Sequence, residues 1–527
     1  MICSLRLGSA AAARSLRSAI PRLRQYATEV PEFDATPTVH QPQEKYASST
    51  LSKLSEQDTR QTVVVLGSGW GGYNLIRNLD PQFFRCVVVS PRSYFVFTPL
   101  LASTAVGTLE FRVATESIRD KGKGWRKASD WWNSALRALA LRAKAADDNR
   151  ISLKRAAELQ LPNLELVQAV ARTVDLDKKE VTVLARIDGV DPQESFKIPY
   201  DKLAIAVGSY SQTFDIKGVK ENAFFLKDVA DARRIRKRIL ERFEAANLFI
   251  VPEEQKRDLL NFCIVGGGPT GIEFAAELHD LIHDDMKYYY PLLMPFVKIT
   301  IFDVAEKILG AFDKDLSSYA EKYFMRQNIN IRTRVAVQEV GSETLRIRNE
   351  KGQDETIKYG LLVWSTGLAA NPFVESMQGA VRDKRNNLLT DEELHIMRVP
   401  TDNSQSEVPD PDVYALGDCA QIRHQRLPAT AQVASQKAIY LAKMLNREGN
   451  ATYKIPQPPF EFKNRGIMAY LGGWRAIMQG ETAVTGRAAW LLWRGAYLSM
   501  CVSVKNKILL PIYWLANWLF GRDISRF

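Results

Sequence analysis

Two stretches about two hundred residues apart carry the same spacing of glycines. In "VVVLGSGWGGYNL", Gly67, Gly69 and Gly72 form G-x-G-x-x-G, and in "CIVGGGPTGIEFAAEL", Gly266, Gly268 and Gly271 repeat it. Each unit follows an apolar run that reads as a buried strand and precedes a run that reads as a helix. The chemistry of such a turn is phosphate binding. Its first glycine permits the tight turn, the second lets backbone approach a pyrophosphate, and the third packs helix on strand, leaving the helix amides aimed at the phosphates. Two dinucleotide sites in one chain are therefore expected.

The acidic residue that would hold a ribose follows only one of them. "KITIFDVAEKIL" ends its strand on Asp303. A carboxylate there accepts from the 2'-hydroxyl of NADH and repels the 2'-phosphate of NADPH, or else only caps the turn. After the first unit, "RCVVVSPRSYFVFTPLL" offers Ser90, Pro91 and Arg92 instead; a serine can still bond a ribose hydroxyl. In "DVYALGDCAQI", Gly417 and Asp418 follow a strand. An aspartate so placed closes a turn or, beside a glycine unit, binds the ribityl hydroxyls of a flavin.

These units alternate with helical stretches, which makes the chain an α/β protein. At 527 residues, with 46% hydrophobic and 25% charged content, it has room for two or three domains and a large cofactor. Short strands are also expected in "IPYDKLAIAVGSY", ending at Gly208, and in "GLLVWSTGLAANP". Residues 1–27 hold Arg6, Arg14, Arg17, Arg22 and Arg24 with no acid before Glu29, the composition of a mitochondrial transit peptide. A polar tether follows over 28–58. Without the five presequence arginines the formal charge of +11 falls to about +6, which gives no reason to expect nucleic acid. Cys3, Cys86, Cys263, Cys419 and Cys501 include no C-x-x-C pair, which disfavours a disulfide scaffold, a zinc site and an iron-sulfur cluster. Residues 120–161, with ten Lys and Arg against five Asp and Glu, break the alternation and read as a helical insertion.

Taken together, "GSGWGG", "SPRSYFVFTPLL", "AVGSY", "GGGPTGIE", "VWSTGL", "YALGDCA" and "ATAQVASQKAIYLA" resemble the type II, non-pumping NADH:ubiquinone oxidoreductases. The resemblance runs from about Val63 to the C-terminus. It implies a two-dinucleotide-binding-domain flavoprotein of two Rossmann-like domains: FAD-binding over 59–235 and 361–455, NADH-binding over 236–360, and a membrane-anchoring segment over 456–527. It places Gly67, Gly69, Trp70, Gly71 and Gly72 at the FAD pyrophosphate and Ser90 and Arg92 near its adenosine. Thr98, Pro99, Leu100, Ala206, Gly208 and Gly417 would lie against FAD, with Asp418 on the ribityl chain. Gly266, Gly268, Pro269, Thr270, Gly271, Asp303, Thr366 and Gly367 would bind NADH. Glu273 would sit near the nicotinamide and flavin, as a proton donor to quinone or as a fixed hydrogen bond to NADH. Gln432 and Gln436 match the family's quinone-site glutamines, whereas Ser435 and Lys437 depart from the His and Glu of some relatives.

A bilayer-borne quinone explains the tail. Trp490, Trp493, Tyr497 and Cys501 recur at helical spacing, with Arg487, Arg494, Lys505 and Lys507 available for lipid phosphates. Ile508 to Phe520 is 13 residues, against roughly 20 needed to span a bilayer. Pro511 fits a first helical turn, and Trp514 and Trp518 share a face suited to the headgroup zone. The reading is a monotopic anchor lying in one leaflet on the matrix side of the inner membrane, with a buried core or dimer helix as the alternative and a homodimer compatible with either. Competing functions are a dithiol flavoenzyme or a sulfide:quinone oxidoreductase, both needing cysteine pairs, and a signalling flavoprotein like the apoptosis-inducing factors. No D-x-[DN]-x-[DN]-G calcium loop is present.

Overall fold

The computed structural model describes residues 58–119, 163–186, 194–399, 406–450 and 457–525. The expected presequence, nearly all of the tether and the whole of the 120–161 insertion lie outside these residues.

The first sheet has eight strands. Five of them run in order to one edge, Val408–Ala415, Lys202–Ile205, Gln61–Leu66, Phe84–Val89 and Leu164–Val167, all parallel. The apolar run before the first glycine unit is continuous because this sheet is covered on both sides. Val63 and Val65 pack in the same core as Tyr73 and Leu75 of helix Trp70–Asn78. Val64 and Leu66 meet Ala169, Val181, Val183 and Ile198 of an antiparallel sheet made by Ala169–Asp175, Glu180–Ala185 and Ser195–Pro199.

The second sheet is parallel throughout, in the order Phe224–Phe225, Leu361–Trp364, Asn261–Val265, Lys298–Phe302 and Ile329–Arg332. It reaches outside the 236–360 span expected from sequence at both ends. Leu361–Trp364 hydrogen-bonds beside the central strand, and the short Phe224–Phe225 completes the edge. Neither run differs in composition from strands of the first sheet, so only pairing assigns them. The chain crosses between the sheets in an antiparallel ribbon, Ser209–Ser211 with Leu368–Ala370.

A three-stranded meander, Ile467–Gly472, Arg475–Gln479 and Ala483–Thr485, leads into helices Gly486–Met500 and Val504–Phe520. Among the described residues no helix is long and apolar enough to cross a membrane. Pro511 lies inside the last helix, not in its first turn as expected. The helix starts earlier because Ser503 Oγ accepts from Asn506 N–H at 3.1 Å, while the buried Asn506 amide donates to Glu116 and the Thr115 carbonyl. That anchorage offsets the missing proline N–H, worth about 3 kcal/mol in a helix interior.

Candidate active site

Both glycine units are built as their spacing requires. A Cβ on Gly67 would meet the Ala206 carbonyl oxygen at 2.3 Å, and one on Gly72 would meet the Gly67 oxygen at 1.9 Å. In the second unit, Gly266 and Gly271 would meet the oxygens of Ser365 and Gly266, each at 2.1 Å. Gly69 and Gly268 have no protein atom within 4 Å of that position. The missing side chain at those two points leaves open space in front of helices Trp70–Asn78 and Pro269–Asp280, where a pyrophosphate would approach.

The two units meet at one cavity of about 680 Å³. Gly67, Gly69, Trp70, Gly71, Ser90, Arg92, Thr98, Pro99, Ala206, Gly208, Gly417 and Asp418 line it from the first sheet, and Pro269, Thr270 and Glu273 from the second. Glu273 stands one turn into its helix, with Oε1 accepting from Tyr470 N–H at 3.1 Å and Trp493 Nε1–H at 3.3 Å. Burial pushes its carboxyl up to about 8, opposed by these two hydrogen bonds. At neutral pH this group holds a proton and can give it up.

Residues 61–438 match the pyridine nucleotide-disulphide oxidoreductase family, and residues 464–523 match the NDH2 C-terminal domain. A probable NADH dehydrogenase of Dictyostelium discoideum is 36% identical, over 89% of this chain and 91% of its own. An internal alternative NAD(P)H-ubiquinone oxidoreductase of Solanum tuberosum, mitochondrial, is 35% identical over 90% of each chain. The solved structure of NDH2 from Plasmodium falciparum in complex with NADH superposes with a TM-score of 0.75 at 25% identity, covering 88% of this chain and 100% of that one. The chain belongs to the type II NADH:ubiquinone oxidoreductases.

As in any flavoprotein of this family, the long cofactor must be held at several points, and the residues present fit one. Ser90 Oγ lies 2.8 Å from Ser68 Oγ and accepts from Arg92 N–H at 3.1 Å, while the Arg92 guanidinium pairs with Asp228. Trp70 Nε1–H donates to Thr98 Oγ1 at 3.0 Å. Ser209 Oγ donates to Asp418 Oδ2 at 3.0 Å, and the Lys227 ammonium donates to the Ser209 carbonyl at 2.8 Å. Lys227 also lines the cavity, and burial pulls it below the usual lysine range. No sequence motif marked Lys227, because its position depends on how Ser209 is brought to Asp418.

Other expected residues sit differently. Leu100 is fully buried in the core, and its neighbour Leu101 lines the cavity instead. Gly72 packs helix against turn without lining the cavity. Thr366 donates its hydroxyl to the Gln212 carbonyl at 2.7 Å and Gln212 N–H reaches the Gly367 carbonyl at 2.8 Å, so both brace the crossing ribbon. Asp303 accepts from Gly267 N–H at 2.5 Å and Ala305 N–H at 2.7 Å, which ties the end of its strand to the second glycine turn.

Gln432 and Gln436 grip the chain that leads into the C-terminal meander. Gln432 Oε1 accepts from Arg465 N–H at 2.8 Å and its amide donates to the Gly466 carbonyl; Gln436 exchanges hydrogen bonds with Lys463. Neither lines the cavity, which is closed on that side by Ala431, Ala434, Met468 and Tyr497. Lys437 is buried beside Cys419, with its ammonium lowered by burial to about 8.

The stripe Trp490, Trp493, Tyr497 and Cys501, expected to face lipid, is turned inward and buried. Tyr497 meets Phe97 edge-on at 6.1 Å and lines the cavity, while Trp493 holds Glu273. The apolar side chains left exposed are a different set: Leu491, Leu492 and Met500 on one helix, and Ile508, Ile512, Leu515, Trp518, Leu519 and Phe520 on the next. Aromatic residues at helical spacing look alike to a core and to a bilayer, and only packing separates them. Cys419, next to Asp418, donates to the Leu416 carbonyl at 3.4 Å and is pushed up to about 11 by burial. A thiol so held is a poor nucleophile, which argues against dithiol chemistry.

Proposed function

We propose that the chain carries a hydride from NADH to FAD and two electrons on to ubiquinone, without proton pumping, on the surface of the mitochondrial inner membrane. The single observation that carries this reading is the shared cavity, in which Pro269, Thr270 and Glu273 of the NADH-side turn face Gly69, Trp70 and Pro99 of the flavin-side turn. When bound, the flavin supplies hydride acceptance and two-electron release. The protein aligns the two rings and excludes water. Trp70 and Tyr497 line the cavity for that purpose, backed by the buried rings of Phe95 and Phe97. Glu273 keeps a proton at Oε2 in a buried site and delivers it as the quinone gains charge. Gln432 and Gln436 position the Lys463–Gly466 strap that carries Met468 to the cavity. The basic, acid-free leader favours import and attachment to the matrix face.

Asp303 sets the choice of nicotinamide. Asp303→Asn is expected to narrow the ratio of kcat/KM for NADH over NADPH by at least about tenfold, because it removes repulsion of a 2'-phosphate. An unchanged ratio would leave Asp303 a turn-closing residue only.

The exposed faces of the last two helices lie on lipid, with the inward faces closing the site. Leu491→Ser with Trp518→Ser is expected to abolish flotation of the FAD-loaded protein on phosphatidylcholine vesicles while turnover with a short-chain, water-soluble ubiquinone stays within about twofold. Truncation before Gly486, by contrast, removes Trp493 and Tyr497 and so costs turnover with soluble quinone as well. If the double variant still floated, the outward apolar face would not be the anchor.

A further inference from the structure

We propose that the start of the helix Gly486–Met500 binds the phosphate of an anionic lipid headgroup, in a cleft that the proposed function does not use. The cleft measures about 470 Å³ and is lined by Gly473, Trp474, Arg487, Trp490 and Leu491. This inference rests on the reading that the outward faces of the last two helices lie on a membrane.

Four observations meet there. Trp474 and Trp490 stack with centroids 5.1 Å apart and planes 21° apart, yet Trp474 remains 47% exposed. An indole pair with one open side is the arrangement that suits a headgroup zone, apolar in body and polar at the edge. Arg487 is exposed, and among the described residues no carboxylate lies within ion-pair distance of it. Arg494, one turn beyond Trp490, lies between the Trp490 and Trp514 rings at 4.2 and 4.3 Å, also without an acidic partner among the described residues. The helix begins at Gly486 after Thr485, whose side chain makes no capping hydrogen bond; Gly486 bridges to Ala476, and the first turn of this 15-residue helix beyond that bridge has no side-chain cap.

The acids nearby are turned away. Asp280 is buried behind the cleft, where both its oxygens receive Gly473 N–H and Oδ2 also receives the Tyr470 hydroxyl. What the cleft presents is therefore a cation, a helix N-terminus and two indole edges. That is a recognition surface for a phosphate oxyanion.

A lipid is favoured over a free phosphate because the cleft opens along apolar surface. Leu491 forms part of its wall and is 64% exposed, and Leu492, next in sequence, is exposed as well. A phosphodiester seated on Arg487 would lay its acyl chains along that face, and inorganic phosphate would gain nothing from it.

The full-length, FAD-loaded protein is titrated with dihexanoyl phosphatidylglycerol below its micelle concentration and followed by tryptophan fluorescence. It is titrated separately with dihexanoyl phosphatidylcholine and with inorganic phosphate. A saturable response to the glycerol lipid alone is expected. Arg487→Gln should weaken it at least about fivefold, the size of one basic contact at an anionic surface. Trp474→Gly should remove the response; glycine is the substitution that suits the positive φ of 63° at this position. Lys505→Gln, an exposed cation on the neighbouring helix, should leave it unchanged. Equal responses to both lipids, or equal losses in Arg487→Gln and Lys505→Gln, would reduce the effect to general attraction and overturn the site. Saturation by inorganic phosphate with no advantage for the lipid would overturn the lipid as its occupant. Flotation on phosphatidylcholine vesicles separates the underlying reading. Wild-type protein that fails to float refutes the membrane face, whereas protein that floats without headgroup preference refutes only the cleft.

Discussion

Glu273→Gln leaves reduction of bound FAD by NADH within about threefold of the unaltered protein and slows its reoxidation by a short-chain ubiquinone by on the order of 100-fold, the usual worth of a positioned proton donor. Stopped-flow measurement of each half-reaction separates the two. The amide keeps an oxygen to accept from Tyr470 and Trp493, so the cavity wall stays in place while the transferable proton is lost. In the unaltered protein reoxidation falls as pH rises through about 8, where the carboxyl gives up its proton; in the variant that fall is absent. Equal slowing of both half-reactions would mean that Glu273 serves NADH and not the quinone.

The same substitution changes stability in a defined pH window. Below pH 4.5, the group's ordinary value, the carboxyl is protonated both folded and unfolded, and its burial costs no charge. From there to about 8 the folded state keeps a proton that the unfolded chain releases, so the unaltered protein loses stability as pH rises. Above 8 the buried carboxylate is charged and the loss is complete, on the order of a few kcal/mol. Glu273→Gln removes that slope. Its Tm should rise relative to the unaltered protein between pH 5 and pH 8.

The second large effect separates two glycines three residues apart. Gly72→Ala should yield little folded holoprotein, because its methyl would lie 1.9 Å from the Gly67 oxygen, and both partners are backbone. Relief requires moving helix Trp70–Asn78 off its strand, at a cost above about 4 kcal/mol. Gly69→Ala meets no protein atom within 4 Å, so thermal unfolding of the apoprotein should stay within about 0.5 kcal/mol of the unaltered chain. Its FAD affinity should fall on the order of 100-fold, about 3 kcal/mol, since a methyl would stand where the pyrophosphate approaches. Flavin-to-protein ratio after gel filtration and apoprotein melting give the two readouts. A Gly69→Ala protein with full flavin content would refute the placement of the pyrophosphate.

The glycine units, Asp418 and Glu273 were legible in the sequence because a strand, a turn and a helix start lie within a few residues of each other. Local spacing there dictates geometry: Gly67, Gly69, Asp418 and Glu273 line one cavity, while Gly72, Gly266 and Gly271 lie against backbone oxygens in the turns that shape it. Lys227, Met468 and Tyr497 were not legible: each reaches the cavity from a separate element, and nothing in "FFLKD" or "RGIMAYL" marks the destination. Gln432 and Gln436 stood out by resemblance, yet their amides hold a strap whose own sequence, Lys463 to Gly466, carries no signal. The tail shows the opposite failure. Its tryptophan spacing was clear, but periodicity states only that one face is alike, and Glu273 rather than lipid proved to lie opposite Trp493.

The order of the strands constrains how the molecule is made. All five strands of the second sheet come from one continuous stretch, Phe224 to Arg332 and on to Trp364, and can close as soon as it emerges. The first sheet cannot. Lys202–Ile205 waits for Val408–Ala415, about 210 residues later in the order in which the chain is delivered. The last wall of the cavity, Tyr497, arrives later still. The nucleotide-binding unit in the middle of the chain therefore folds ahead of the unit that encloses it, leaving the strands before it dependent on chaperones in the interval. The cavity wall is complete only once Tyr497 has taken its place.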